Sequence, residues 1–116
     1  MVLARMTVWH FKEGKSEKGF SELDVVLNTL AHQTEGFRGA ISLLDADDPN
    51  AVTILTLWID EEALKRSEKE VFNQALKRVQ DSIDSPPKIQ NYRVFSTELF
   101  QRSQWPFRRC PQVLSQ

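Results

Sequence analysis

Apolar residues recur along this chain at two spacings, every second residue in four stretches and every third or fourth in two, and their order predicts six elements. Val2 to Phe11 reads as a strand. Leu3, Trp9 and Phe11 share one parity with Arg5 and Thr7 between them; Met6 and Val8 share the other, which ends at His10. Both faces of this strand are largely apolar. After the polar turn Lys12-Glu13-Gly14-Lys15, Ser16 to about Gln33 reads as a helix. Phe20, Leu23, Leu27 and Leu30 fall at helical spacing, reinforced by Val26 and Ala31. Ser16 is the expected N-cap, Glu17 sits in the favourable first turn, and Gly36 is the expected stop, because glycine tolerates the left-handed backbone that ends many helices.

Arg38 to Leu44 is the second strand, built around Ile41, Leu43 and Leu44. Asp45-Ala46-Asp47-Asp48-Pro49-Asn50 is dense in turn formers and reads as a hairpin connection. Ala51 to Ile59 has almost no polar face, as expected of a strand covered on both sides. Asp60 caps a short helical turn with Glu61 and Glu62 at its positive end. A second helix is expected from about Ser67 to Ile83, with Val71, Phe72, Ala75, Leu76 and Val79 as its buried stripe. Ser85-Pro86-Pro87 breaks it, and Lys88 to Thr97 is the last strand, with Ile89, Tyr92, Val94 and Phe95.

Strand-helix-strand-strand-helix-strand is the split unit of an α+β, ferredoxin-like βαββαβ fold, an antiparallel sheet with two helices on one face. Two helices cover one parity only. The other carries Met6, Val8, Leu55, Leu57 and Ile59. Left wet, it would expose an apolar patch of about 500 Å², at the upper edge for a soluble monomer. Burial against a second copy removes it, so a homodimer with sheets face to face is expected. The domain spans residues 1–98. The tail, 99–116, has no clear period; it either clasps the dimer partner or, in a monomer, folds Trp105-Pro106-Phe107 back over the open face.

Composition narrows the function. One domain of 116 residues with 41% hydrophobic and 27% charged residues is an ordinary globular mixture. A formal net charge of −1 provides no global field to recruit nucleic acid or an anionic membrane. No apolar run approaches the roughly 20 residues of a membrane span. Met1-Val2-Leu3-Ala4-Arg5 leads directly into strand pattern, and Cys110 has no partner within the chain, so a reducing cytoplasmic setting is expected. His10 and His32 lie far apart and make no zinc pattern with the lone cysteine. Asp45, Asp47 and Asp48 lack the glycine and terminal glutamate of a calcium loop. No metal site, phosphate loop or Ser-His-Asp set is expected. Arg102, Arg108 and Arg109 make the tail basic.

Several short motifs resemble the antibiotic biosynthesis monooxygenase superfamily. They are the Phe11 to Lys15 turn with Gly14, Glu35-Gly36-Phe37-Arg38-Gly39, Asp47-Asp48-Pro49-Asn50, and Ile54-Leu55-Thr56-Leu57-Trp58 followed by Asp60-Glu61-Glu62-Ala63-Leu64. The resemblance covers about residues 2 to 97 and implies a dimeric α+β barrel with a pocket between sheet and helices in each protomer. Members include cofactor-independent oxygenases of quinols, anthrones and related phenols, and haem-degrading proteins. Ile54 to Trp58, Val71-Phe72 and Ser85-Pro86 also resemble the haem-degrading branch. However, its helix histidine has no counterpart in Val71 to Val79, its first-strand asparagine falls near Thr7, and its pocket tryptophan falls near Arg66 or Ser67. Haem degradation is therefore disfavoured.

The expected function is cofactor-independent monooxygenation of a small aromatic, quinol-type compound with O₂, needing no metal or flavin. Phe20, Leu27, Leu30, Trp58, Phe72 and Leu76 are the candidate apolar wall, and Thr7 and Trp58 the candidate polar contacts, the Trp58 indole N–H directed at a substrate oxygen. Arg5 is read as sitting at the sheet end and snorkelling outward; buried, it would need an anionic partner and could bind an acidic substrate. His10 could serve as a base but has the parity opposite to Thr7, and His32 suits the negative end of its helix. The competing reading is a non-catalytic dimeric small-molecule-binding or stress-response module with no organised base.

Overall fold

The computed structural model describes residues 1–97; the rest of the chain, with Trp105, Cys110 and the arginines of the tail, lies outside the described residues. Four strands, β1 (Leu3–His10), β2 (Phe37–Leu44), β3 (Ala51–Trp58) and β4 (Lys88–Arg93), form one antiparallel sheet in the order β2-β3-β1-β4. Helix α1 (Ser16–Val26) continues into a π-helical stretch, Leu27–Ala31. A second helical run joins α2 (Glu61–Ser67), a π-helical stretch, Glu68–Phe72, and α3 (Asn73–Val79). This is the ferredoxin-like α+β arrangement, with both helical arms on one face of the sheet. Among the described residues no helix is long and apolar enough to cross a membrane.

The strand parity left open by the sequence is resolved by burial. Arg5, Thr7 and Trp9 of β1 and Val52, Ile54, Thr56 and Trp58 of β3 are buried. Most of them line the space under the helices. Leu23 and Val26 of the first arm and Val71, Ala75 and Val79 of the second close the core over them. These are the residues the helical spacing brings to one side of each arm. On the other sheet face, Ile41, Leu43 and Tyr92 are exposed, and Met6, Val8, Leu55 and Leu57 are half-buried. Ile59 falls past the end of β3, where its N–H donates to the Gly36 carbonyl at 2.8 Å, so it is not part of that face.

Local chemistry explains the element ends. Asp60 caps α2, its Oδ1 accepting from the Ala63 N–H at 2.9 Å. Gly36 has φ +91°, and a Cβ there would stand 2.5 Å from the Ala63 Cβ, so glycine is required by both conformation and space. Gly19 lets α1 approach the residue that follows β1: a Cβ there would overlap the Phe11 ring. Three expectations are corrected. Ser16 begins α1 but does not cap it; Lys15 holds the cap position with no side-chain bond. The helical turn at Asp60 and the helix expected from Ser67 are one run, because the Ser67 region keeps helical backbone through the wider turn. That run ends at Val79, not Ile83, where the chain turns so that Ile83 bridges Phe11.

Candidate functional site

A cavity with about 40 Å³ of free space lies between the sheet and the two helical arms. It is smaller than a ligand pocket of several hundred Å³ and has room for about two or three waters. Its sheet wall comes from alternate residues of adjacent strands, which a pleated sheet turns to one side. The register places Thr56, Arg5 and Asn91 in one row across β3, β1 and β4, and Ile54, Thr7 and Ile89 in the next. Leu23, Val26, Leu27, Val71, Phe72 and Ala75 supply the helical wall. Both π-helical stretches border the cavity, through Leu27 and through Val71 and Phe72. Wider turns of this kind are frequent at functional sites.

The polar groups in this wall are few and nearly all matched. The Trp9 Nε1–H donates to Thr7 Oγ1 at 2.8 Å, and the Trp58 Nε1–H donates to Thr56 Oγ1 at 2.9 Å. The same Thr-x-Trp triplet, Thr7-Val8-Trp9 and Thr56-Leu57-Trp58, thus makes the same bond on two neighbouring strands. Each indole is fixed by the threonine two residues before it on the same face. Trp9 also packs on Phe72 with ring centres 5.8 Å apart, and Trp58 on Phe37 at 5.2 Å.

Arg5 is the charged group of the wall. It is 5% exposed, which corrects the expectation that it snorkels outward. The physical reason is its register: opposite Asn91 and Thr56 on the helix side of β1, it lies beneath the second helical run, where Ser67 and Glu68 cover it. Its Nε–H donates to Asn91 Oδ1 at 3.1 Å and an Nη1–H to Ser67 Oγ at 3.3 Å. Nη2 lies 3.2 Å from Glu68 Oε1, whose side chain is 53% exposed. Burial pulls the guanidinium below its ordinary pKa, and the charge and hydrogen bond of Glu68 pull it back. An arginine so placed stays charged at neutral pH.

The predicted site residues divide. Thr7, Leu27, Trp58 and Phe72 line the cavity. Phe20 lines a separate open groove between α1 and β2, and Leu30 and Leu76 pack against the core outside the cavity wall. The Trp58 indole N–H is committed to Thr56 rather than to the cavity. His10 lies on the other face, with Nδ1 3.8 Å from Asp48 Oδ2, and His32 packs edge-on against Phe37. Neither approaches the cavity wall, which contains no histidine and no carboxylate. Among the described residues no cluster of three or more His, Cys, Asp or Glu could hold a metal ion. Trp9, Thr56, Ser67 and Arg5 are cavity-wall residues that sequence reasoning misses or misplaces. The repeated Thr-x-Trp triplet is the available signal for the first two.

A family model described as antibiotic biosynthesis monooxygenase matches residues 1–84. No curated protein sequence matches the chain. Among solved structures, the NE2512 protein of unknown function from Nitrosomonas europaea superposes with a TM-score of 0.72 at 18% identity, over 86% of this chain and 95% of that one. PA3566 from Pseudomonas aeruginosa does so at 0.68 and 18%, over 82% and 95%. A mutant of SnoaB, described as a cofactor-independent oxygenase from Streptomyces nogalater, does so at 0.71 and 13%, over 83% and 95%. At these identities the likeness shows the fold alone.

Proposed function

Because this chain belongs to the antibiotic biosynthesis monooxygenase family, we propose that it is a cofactor-independent monooxygenase of a small aromatic, quinol-type compound. The observation that carries this reading is the apolar cavity walled by two tightly held indoles and a buried guanidinium. A phenol bound beside Arg5 is favoured as its anion by the nearby positive charge, and the low-polarity wall strengthens that field. The electron-rich anion passes one electron to O₂, giving a phenoxyl radical and superoxide. The two recombine into a C–O bond; the peroxide anion so formed takes back the proton the phenol released, and the resulting hydroperoxide loses water and leaves a quinone carbonyl. The substrate supplies all four electrons that reduce O₂; one oxygen atom enters the product and the other leaves as water. The Thr7 hydroxyl, already accepting from Trp9, retains its own hydrogen to offer to the phenolic oxygen.

The cavity is too small for a fused-ring substrate as it stands, so this reading requires the helical arms to separate on binding. The two π-helical stretches are the natural places for that movement. The reading also has two copies paired through the open sheet face, where Ile41, Leu43 and Tyr92 are exposed.

A second reading, a non-catalytic dimeric binding module, is favoured by one specific observation: the cavity wall carries no acid or base other than Arg5. Oxygen uptake with a panel of quinols and anthrones separates the two. The oxygenase reading expects uptake with one O₂ consumed per quinone formed, and a fall of about tenfold or more in the Thr7→Val, Trp58→Phe double variant. Tight binding of a panel member without oxygen uptake would leave the binding module standing.

A further inference from the structure

The Arg5 guanidinium has one partner unlike the others. The buried Ser67 hydroxyl is tied to the Leu64 carbonyl, and Asn91, an exposed and neutral residue of the edge strand, has its backbone held opposite Arg5 by the register. Glu68 is the anionic partner, yet its side chain is 53% exposed and rides on a π-helical stretch. Among the described residues it makes no other ion pair. The buried cation is therefore neutralised by a carboxylate that can leave without disturbing the core.

Where Glu68 reaches in, an outer cleft opens. Arg5 and Phe72 line both this cleft and the inner cavity, so they form the partition between them. Lys69, Asn73, Ile89 and Asn91 complete its wall with Glu68. Two cations and one carboxylate give the cleft an excess of one positive charge, which becomes two when Glu68 swings out. Arginine presents paired N–H groups that match a carboxylate in two-point contact.

We propose that Arg5 takes a carboxylate or equivalent anionic group of the substrate in place of Glu68, so that the substrate is an acidic aromatic compound with its ring in the inner cavity. This rests on the reading that the cavity takes an aromatic ring. Glu68 is a stand-in for the ligand: it keeps the buried cation paired until the substrate arrives, and its departure opens the cleft. A purely structural ion pair would instead make Glu68 a support whose loss weakens everything near it.

Gentisate, a quinol bearing a carboxylate, and its neutral methyl ester provide a matched pair. Their binding is measured by titration calorimetry under nitrogen, so that no turnover occurs. The wild-type protein is expected to bind gentisate about tenfold more tightly than the ester. Glu68→Gln is expected to tighten gentisate by about threefold or more and leave the ester unchanged, because the competing anion is gone. Arg5→Met is expected to bring the two ligands within about twofold of each other. Should Arg5→Met fail to fold, Glu68→Gln decides alone. Equal wild-type affinity for the two, or weaker gentisate binding by Glu68→Gln, overturns the proposal while the aromatic-ligand reading stands. Binding of neither compound removes that reading and the proposal with it.

Discussion

The two faces of this sheet are built from the same strands and have opposite fates. On the helix side, Trp9 and Trp58 are 2% and 1% exposed, their indole N–H groups satisfied by threonines. On the other side, Leu43 is 52% exposed and Ile41 and Tyr92 nearly as much, and the polar residues among them, Thr53, Lys88 and Gln90, are not buried. Both faces are apolar in sequence, so hydrophobicity does not tell them apart. Buried polar residues do: Arg5, Thr7 and Thr56 occupy the helix side, each with a partner, and that side contains the cavity. The difference separates two kinds of apolar surface. One specifies a site, because buried polar groups must be matched in defined positions. The other is available for assembly, where shape and area suffice.

Substitutions at three positions bear on this contrast. Trp58→Ala should cost about 3–5 kcal/mol, because it empties a large volume in the closed core; urea unfolding checks it, and a loss under ~1 kcal/mol, the size expected of a surface change, would break the contrast. Thr7→Val is smaller and sharper. It keeps shape but strands the Trp9 indole N–H without its acceptor, at about 1–3 kcal/mol. Thr7→Ser, which retains the hydroxyl, should recover most of that loss, whereas recovery failing in Ser would mean that packing rather than the hydrogen bond matters. Leu43→Asp should change the unfolding free energy of a dilute single chain by no more than ~0.5 kcal/mol. At tens of micromolar it should shift sedimentation from a two-chain to a one-chain species, and wild-type protein running as a single chain at that concentration would remove the pairing.

The sequence conveys the fold more fully than the site. Element order, the Asp60 cap and the turn at Gly36 each arise from a local rule, and each stands where it is expected. Of the stripe expected on the second helix, Val71, Ala75 and Val79 are buried and Phe72 and Leu76 half-buried. Arg5 departs from expectation because the reason for its burial is not local. Its partners Asn91 and Ser67 are 86 and 62 residues away in the chain, and only the register brings them together. β1 gives little help, since both its parities carry large apolar residues and only Arg5 and Thr7 mark the one that faces the helices. Phe20, Leu30 and Leu76 fall outside the cavity wall because helical spacing identifies a buried stripe but not which part of it borders a cavity. The wider turns at Leu27–Ala31 and Glu68–Phe72 rotate the residues C-terminal to them and leave no mark in the apolar period.

The central claim is that a small aromatic molecule occupies the space between Trp9, Trp58 and the helical arms. Crystals grown and soaked with hydroquinone under nitrogen test it most directly. The expected result is a ring inside the cavity, with an oxygen within hydrogen-bonding distance of Thr7 Oγ1 and the helical arms moved apart to admit it. A ring found only on the Ile41–Leu43 face, or a cavity unchanged at saturating hydroquinone, would contradict it.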